Sequence, residues 1–137
     1  MTTFSEPDIA INQFEHDPLP DPKAYFRLLE IQQAGLGEHA VCQLTTWLIE
    51  DAPPYTAISY TWGDSTSTTT VSINGAQMPV RANCEYVLRQ AYASKTSLYY
   101  WIDAICIDQT GNHEKNHQVA MMGQLYKRAA HVLACIG

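Results

Sequence analysis

The chain has 137 residues, 46% hydrophobic and 16% charged, which suits one globular domain and excludes a disordered segment. Its net charge of −6 argues against binding to nucleic acids or to an anionic membrane surface, because both require a basic face. No apolar run approaches the roughly 18 residues of a membrane span, and the first residues do not resemble a signal peptide. The four separated cysteines lie among apolar neighbours and predict buried free thiols in a cytoplasmic protein.

The first half of the chain predicts an irregular lead-in followed by strands. Residues 1–24 are rich in proline and show no periodic apolar pattern. Three β-rich runs predict strands, namely YFRLLEI (25–31), VCQLTTWLI (41–49) and YTAISYTW (55–62). The polar stretch STSTTT (65–70) predicts an exposed loop. Asn74 and Gly75 lie between two apolar segments and predict a hairpin with a type I′ turn.

The second half alternates helices and apolar strands. Asn83 is a predicted cap for a helix whose inner face collects Cys84, Val87, Leu88 and Ala91. SLYYWIDAICI predicts a strand buried on both faces, a second helix is predicted for residues 113–130, and HVLACIG predicts another apolar strand. Strands without alternation, separated by helices, predict an α/β fold. We therefore expect a mostly parallel central sheet with helices on both faces, joined to an N-terminal β-rich part that contains the hairpin.

Polar residues collect where such a fold places its ligand site, at the carboxyl ends of the strands and near helix N-termini. Asp108 and Gln109 follow the WIDAICI run and lead into the last helix. The buried stripe of that helix is centred on Met122, Leu125 and Ala129. Extended backwards, the stripe reaches Gln118 and Glu114. Glu114 is therefore either a site carboxylate or an ordinary first-turn charge, whose loss would cost only about 0.3–1 kcal/mol.

Asp103 lies inside the most hydrophobic stretch of the chain. A buried carboxylate needs partners, so its role is either structural or part of a site. We expect it to be too deep to touch a ligand and to accept hydrogen bonds from a neighbouring strand or from the SYTWG segment. Trp101 and Cys106 are expected to support the site from the same run.

Residues His113-Glu114-Lys115-Asn116-His117 match the pattern H-E-x-x-H of zinc proteases. Both histidines project roughly 140° away from the apolar face of the predicted helix, so we expect them to face solvent. The positions that would extend the motif are occupied by Ala120 and Gly123. We therefore predict no metal site, and a zinc hydrolase remains a minor alternative.

Five separated segments resemble, in order and spacing, the heterokaryon incompatibility (HET) domain of filamentous fungi. They are YTAISYTWGD (55–64), VRANCEYVLR (80–89), YWIDAICIDQ (100–109), EKNHQVAMMGQLYKRAAHV (114–132) and the terminal IG. YFRLLEI resembles the strand that leads into that domain, so the domain is expected to span residues 25–137 after the lead-in. The histidines of the zinc pattern are not part of this resemblance.

The resemblance implies a module of fungal non-self recognition and innate immunity that triggers programmed cell death. HET domains are thought to be distant relatives of TIR domains, which are flavodoxin-like, and some of which cleave NAD⁺ with a glutamate. A TIR-like NAD⁺ glycohydrolase would need no cofactor and would use Glu114 as its catalytic carboxylate. The residues expected to bind substrate are Tyr60, Trp62, Gly63, Asp64, Asp108, Gln109 and Gln118. The alternative is a non-enzymatic module that forms homo-oligomers or recruits death-signalling proteins.

Overall fold

The computed structural model describes residues 13–35, 39–60 and 67–135. Within these ranges the strands are β1 (Tyr25–Gln33), β2 (Val41–Leu48), β3 (Tyr55–Tyr60), β4 (Thr68–Ile73), β5 (Ala76–Arg81), β6 (Tyr99–Trp101) and β7 (His131–Cys135). The helices are α1 (Ala82–Ser94), α2 (Asp103–Cys106), α3 (Asn112–Ala120) and α4 (Met122–Arg128), with a short 3₁₀ turn at Ile49–Asp51. No helix of the described residues is both long enough and apolar enough to cross a bilayer.

All these strands join one mixed sheet in the order β5-β4-β2-β1-β6-β3-β7. β3 is parallel to β6 and to β7, and β2 is parallel to β4. β1 is antiparallel to β2 and to β6, and β4 is antiparallel to β5. The α/β class is confirmed, but the prediction of a mostly parallel sheet is wrong. The first half of the chain contributes the antiparallel pairs β1-β2 and β4-β5, and the parallel pairs are β2-β4, β3-β6 and β3-β7.

β1 occupies the middle of this sheet and is buried on both faces from Phe26 to Leu29. It pairs along almost its whole length with β2, and through Leu29 with Tyr100 of β6. This position explains why Phe26, Leu28 and Leu29 are all apolar and do not alternate with polar residues. It also places Arg27, the second residue of this buried run, in the interior of the protein.

The β4–β5 hairpin turns at Asn74 and Gly75, as predicted. Their φ angles are 53° and 81°, and positive φ at both positions defines the type I′ turn. The loop prediction for STSTTT is wrong for residues 68–70, which belong to β4. Threonine is β-branched and favours a strand once a partner strand is available, which the polar composition does not reveal.

We expect Asn74→Ala to lower the free energy of unfolding by about 2 kcal/mol, from left-handed strain and two lost hydrogen bonds. The Asn74 side chain accepts a hydrogen bond from Leu44 N–H at 2.8 Å and donates one to the Leu44 carbonyl at 3.2 Å. Asn74→Gly tolerates the same φ and should recover part of the loss. Urea unfolding of wild type, Asn74→Ala and Asn74→Gly separates the cost of the backbone strain from that of the lost hydrogen bonds. Equal stability of wild type and Asn74→Ala would contradict the expectation.

Helix α1 presents its predicted apolar face to the core. Cys84, Val87, Leu88 and Ala91 are all buried. The helix begins at Ala82 with Arg81 in the cap position, so the prediction of Asn83 as the cap is wrong. The free thiols are confirmed for Cys42, Cys84 and Cys106, and burial raises the pKa of each to about 12.

The WIDAICI run is not a continuous strand. β6 ends at Trp101, and the chain then forms the single helical turn α2. Ile102, Ile105, Cys106 and Ile107 are nevertheless all buried. A run that is apolar at every position fits a buried helix as well as a buried strand, so the pattern did not distinguish them.

The last predicted helix is two helices, α3 and α4, separated by Met121 with φ −96° and ψ 0°. The predicted inner stripe is largely confirmed, since Gln118 and Leu125 are fully buried and Glu114 is partly buried. β7 follows as an edge strand and pairs with β3 within the described part of the chain. The side chain of Val132 is therefore exposed, contrary to the expectation of a strand covered on both faces.

Candidate functional site

The predicted catalytic residue, Glu114, forms an ion pair with Arg27. Its Oε1 lies 2.7 Å from Nη2 of Arg27, and the two side chains are 13% and 2% exposed. Its Oε2 accepts a hydrogen bond from the backbone N–H of Leu19 at 3.1 Å. Both carboxylate oxygens are therefore engaged by parts of the chain outside α3.

The Arg27 guanidinium connects four parts of the fold. Besides the ion pair, Nη1 donates to the carbonyl of Cys106 at 3.0 Å, and Nη2 donates to the carbonyl of Asp17 at 2.8 Å. A buried cation is stable only with such compensation. Arg27 thus ties β1 to the end of α2, to the start of α3 and to the lead-in.

The lead-in residues 13–24, called the N-terminal strap from here on, lie against the start of α3. Gln118 is fully buried and donates from Nε2 to the carbonyls of Pro22 at 2.8 Å and Tyr25 at 2.9 Å. His16 Nε2 is 2.7 Å from the carbonyl of Ile105. The strap therefore attaches to the site mainly through backbone groups.

Asp108 lies at the same end of α3 as the strap. His16 Nδ1 is 3.8 Å from Asp108 Oδ1. Burial alone would raise the pKa of Asp108, but hydrogen bonds to its Oδ1 from Thr110 Oγ1 at 2.7 Å and Thr110 N–H at 3.0 Å outweigh this. With His16 and Arg27 nearby, the pKa of Asp108 falls below its usual value, so the group is anionic at neutral pH.

A second group of predicted residues lines a pocket of about 280 Å³. Its walls are Tyr60, Thr68, Met78, Pro79, Val80, Arg81, Ala104 and Gln109. Gln109 is held in place by donating from Nε2 to the carbonyl of Asp103 at 3.0 Å. Glu114, Gln118 and Asp108 are not among these walls. The structure therefore divides the predicted site into a strap-covered group and a pocket group.

Asp103 is the first residue of α2 and is half-buried beside the pocket group. Burial is the main reason why the pKa values of Tyr60 and Tyr126 lie above their usual range, and the charge of Asp103 raises both further. Tyr60 therefore keeps its hydroxyl proton at neutral pH. It can donate a hydrogen bond but cannot serve as a phenolate base.

The other supporting residues are enclosed. Trp101 is fully buried, and its ring meets that of Tyr126 edge to face at 5.5 Å. The Cys106 thiol is also fully buried, and its raised pKa makes it unsuited to act as a nucleophile. Trp62, Gly63 and Asp64 lie outside the described residues. The predicted opposite wall, and the predicted hydrogen bonds of Asp103 with SYTWG, stay predictions.

Asp103→Ala is expected to reduce stability by about 1–3 kcal/mol, the range for a half-buried charged group whose partners lose their acceptor. The carboxylate influences Tyr60, Cys84 and Tyr126, so its loss changes a densely packed polar cluster. Thermal unfolding of Asp103→Ala and of wild type measures the effect. An unchanged melting temperature together with full toxicity in cells would contradict a structural role.

The two histidines of the H-E-x-x-H pattern contact each other. Their rings meet edge to face with centroids 4.7 Å apart; His113 is exposed and His117 is half-buried, so solvent exposure is confirmed fully only for His113. In the described part of the chain, no three His, Cys, Asp or Glu side chains converge as metal ligands would.

His113→Ala and His117→Ala are each expected to change the free energy of unfolding by no more than about 0.5 kcal/mol, as for ordinary surface sites. If the wild type is toxic to cells, both variants should be equally toxic. Denaturant unfolding with and without a chelator checks this. A loss of function that added zinc restores would instead support a metal site.

The sequence interpretation missed Arg27 and His16. Arg27 could have been found, since a charged residue between Phe26 and Leu28 in a predicted buried strand must either leave the sheet or find a buried partner. His16 carries no comparable signal, because it belongs to a polar segment without periodicity.

Comparison with known proteins identifies the family. The family model described as heterokaryon incompatibility protein (HET) matches residues 55–137. Heterokaryon incompatibility protein 6, OR allele, of Neurospora crassa is 34% identical over 142 aligned residues, which cover 92% of this chain and 21% of that relative. The chain thus spans about a fifth of that relative's length. No solved structure matches the chain significantly. With more than half of its residues matched by the family model, and with this identity over nearly its whole length, the chain belongs to the heterokaryon incompatibility family.

Proposed function

We propose that this chain acts in fungal heterokaryon incompatibility, as the domain that starts cell death when genetically unlike cells fuse. The observation that carries the proposal is the 34% identity to a heterokaryon incompatibility protein over 92% of the chain. Inducible expression in a filamentous fungus should arrest growth and kill cells. A frame-shifted copy of the same gene is the control. Normal growth at a verified protein level would contradict the proposal.

The chemical activity we propose is TIR-like cleavage of NAD⁺. Water adds to the anomeric carbon of the ribose, and nicotinamide departs with the electrons of the C–N bond. ADP-ribose, nicotinamide and one proton are released. An anionic group stabilises the positive charge that develops on the ribose ring. Glu114 is the residue proposed for this role.

The arrangement of the parallel strands supports this proposal. The largest block of neighbouring parallel strands contains, in chain order, β3, β6 and β7, and in space β3 lies between the other two. This 2-1-3 order is the one with which flavodoxin-like sheets begin, and their ligands bind outside the carboxyl ends of the strands. Tyr60 ends β3, while Asp108, Gln109 and Glu114 follow β6 and α2.

The pocket group fits one ring-sized part of such a substrate. A volume of about 280 Å³ accommodates a nicotinamide or adenine ring but not the whole dinucleotide. Met78, Pro79 and Val80 give it apolar walls, and Tyr60 and Gln109 offer hydrogen-bonding groups. The remainder of the substrate would extend toward Asp108 and the start of α3.

A non-enzymatic assembly module is the second candidate, and one observation favours it. Arg27 and Leu19 engage both oxygens of Glu114, which is the bonding pattern of a structural carboxylate. In this alternative the domain signals by self-association or by binding a death-signalling protein. The Arg27–Glu114 pair then serves only to hold the fold together.

Incubation of the purified protein with NAD⁺, with and without a chelator, separates these candidates. Nicotinamide release that is insensitive to the chelator supports NAD⁺ cleavage. No release at high protein concentration, combined with retained toxicity, favours the assembly module. Chelator-sensitive hydrolysis of a different substrate would favour the zinc enzyme.

A further inference from the structure

The N-terminal strap contacts three of the predicted site side chains. Leu19 N–H donates to Glu114 Oε2 at 3.1 Å, and the carbonyl of Pro22 accepts from Gln118 Nε2 at 2.8 Å. His16 approaches Asp108 Oδ1 to 3.8 Å. A ligand that used these three side chains would have to occupy the space that the strap now fills.

The strap is held by few side-chain anchors. Residues 13–24 form no helix or strand beyond an isolated bridge between Gln13 and Gln77. Leu19 is the one buried apolar side chain among them, at 7% exposed; the His16 side chain is 8% exposed, and Phe14 packs partly buried against the core. Segments with little buried apolar surface open locally at a lower free-energy cost than the sheet beneath them.

The strap also contacts Arg27, but it does not provide the counter-charge. Nη2 of Arg27 donates to the Asp17 carbonyl at 2.8 Å, while Glu114 supplies the negative charge from α3. If the strap lifts, the ion pair stays intact and Glu114 Oε2 becomes free. Opening therefore uncovers the carboxylate without leaving a buried ion unpaired.

We propose that the N-terminal strap is an inhibitory cover of the Glu114 carboxylate, and that it must lift before NAD⁺ binds. The inference rests on the proposed NAD⁺ cleavage at this site. The strap competes with substrate through backbone groups that bind Glu114 Oε2 and Gln118 Nε2. The apparent affinity for NAD⁺ is then reduced by the fraction of molecules in which the strap is closed.

Leu19→Ser tests the strap, because it removes the buried anchor and leaves the backbone N–H in place. Leu98→Ser is the matched control, since Leu98 is 61% exposed. Hydrogen exchange followed by mass spectrometry should show the strap amides exchanging at least about tenfold faster in Leu19→Ser, with β1 and β3 still protected. NAD⁺ cleavage below saturation should rise by a similar factor in Leu19→Ser and not in Leu98→Ser.

Each of the other outcomes overturns the inference at an identifiable step. If the strap amides of the wild type exchange only at the rate of global unfolding, the strap is part of the core and is not a cover. If the strap opens but Leu19→Ser cleaves NAD⁺ no faster than wild type, the activity stands and the inhibition fails. If the strap opens and neither variant nor wild type releases nicotinamide, the NAD⁺ activity fails and the inhibitory role fails with it.

Discussion

Arg27→Met is expected to lower the free energy of unfolding by about 3–5 kcal/mol, the range for breaking one partner out of a buried ion pair. Methionine keeps most of the volume but leaves the Glu114 carboxylate, which is 13% exposed, without its counter-charge. The carbonyls of Asp17 and Cys106 also lose their donor. Urea unfolding followed by circular dichroism measures the loss.

Lys23→Met is the matched control, because it removes a cation from an exposed position of the strap. Its expected effect is within about 0.5 kcal/mol. The double variant Arg27→Met/Glu114→Leu replaces the ion pair by apolar side chains and should be less destabilised than the sum of its single variants. A loss below about 1 kcal/mol for Arg27→Met would mean that the pair does not form in solution.

The parts of the fold that depend on local pattern were predictable from the sequence. Asn74 and Gly75 specify a type I′ turn because both adopt positive φ at little cost. Helical spacing correctly placed Leu88 inward, and it also placed Gln118 and Glu114 on the inner stripe. In each case the prediction depends on a pattern of residues that are close together along the chain.

The direction of the strands was not predictable, because it depends on pairings between distant segments. β1 inserts between β2 and β6, so two antiparallel contacts separate the parallel pair β4-β2 from the parallel block β6-β3-β7. The apolar strand β1 looks the same in sequence whether its neighbours are parallel or antiparallel. The WIDAICI run failed for a related reason, since burial on all sides removes the periodicity that separates helix from strand.

In the candidate site, the position of Glu114 was predictable from the sequence, but the groups that contact it were not. The inward position of Glu114 follows from helical spacing, but its partner does not, because Arg27 lies on a strand far away in the chain. The strap adds contacts through backbone atoms of Asp17, Leu19 and Pro22. Such contacts do not depend on the residue type, so the sequence does not indicate them. Because of this ion pair, Glu114 has a structural role in addition to the catalytic role proposed for it.

Glu114→Gln is expected to lower NAD⁺ cleavage by around a hundredfold or more, the scale for loss of one electrostatic stabiliser. Its cost in stability should be about 1–3 kcal/mol, larger than for a simple first-turn charge, because Arg27 is 2% exposed and loses its counter-charge. The glutamine can still accept the hydrogen bond from Leu19 N–H. Nicotinamide release and urea unfolding, measured on the same preparation, give the two effects.

Comparison with two further variants separates the catalytic loss from the structural one. Glu50→Gln removes an exposed carboxylate and should leave both rate and stability near wild type. Arg27→Met disrupts the same ion pair but keeps the Glu114 carboxylate. If the carboxylate acts on the ribose, Arg27→Met should retain far more activity than Glu114→Gln when both are assayed well below their melting temperatures.

If Glu114 is catalytic, cells expressing Glu114→Gln should survive and keep their NAD⁺. If Glu114→Gln is folded and still toxic, Glu114 serves the ion pair alone, and the assembly module becomes the better account of the proposed role in cell death.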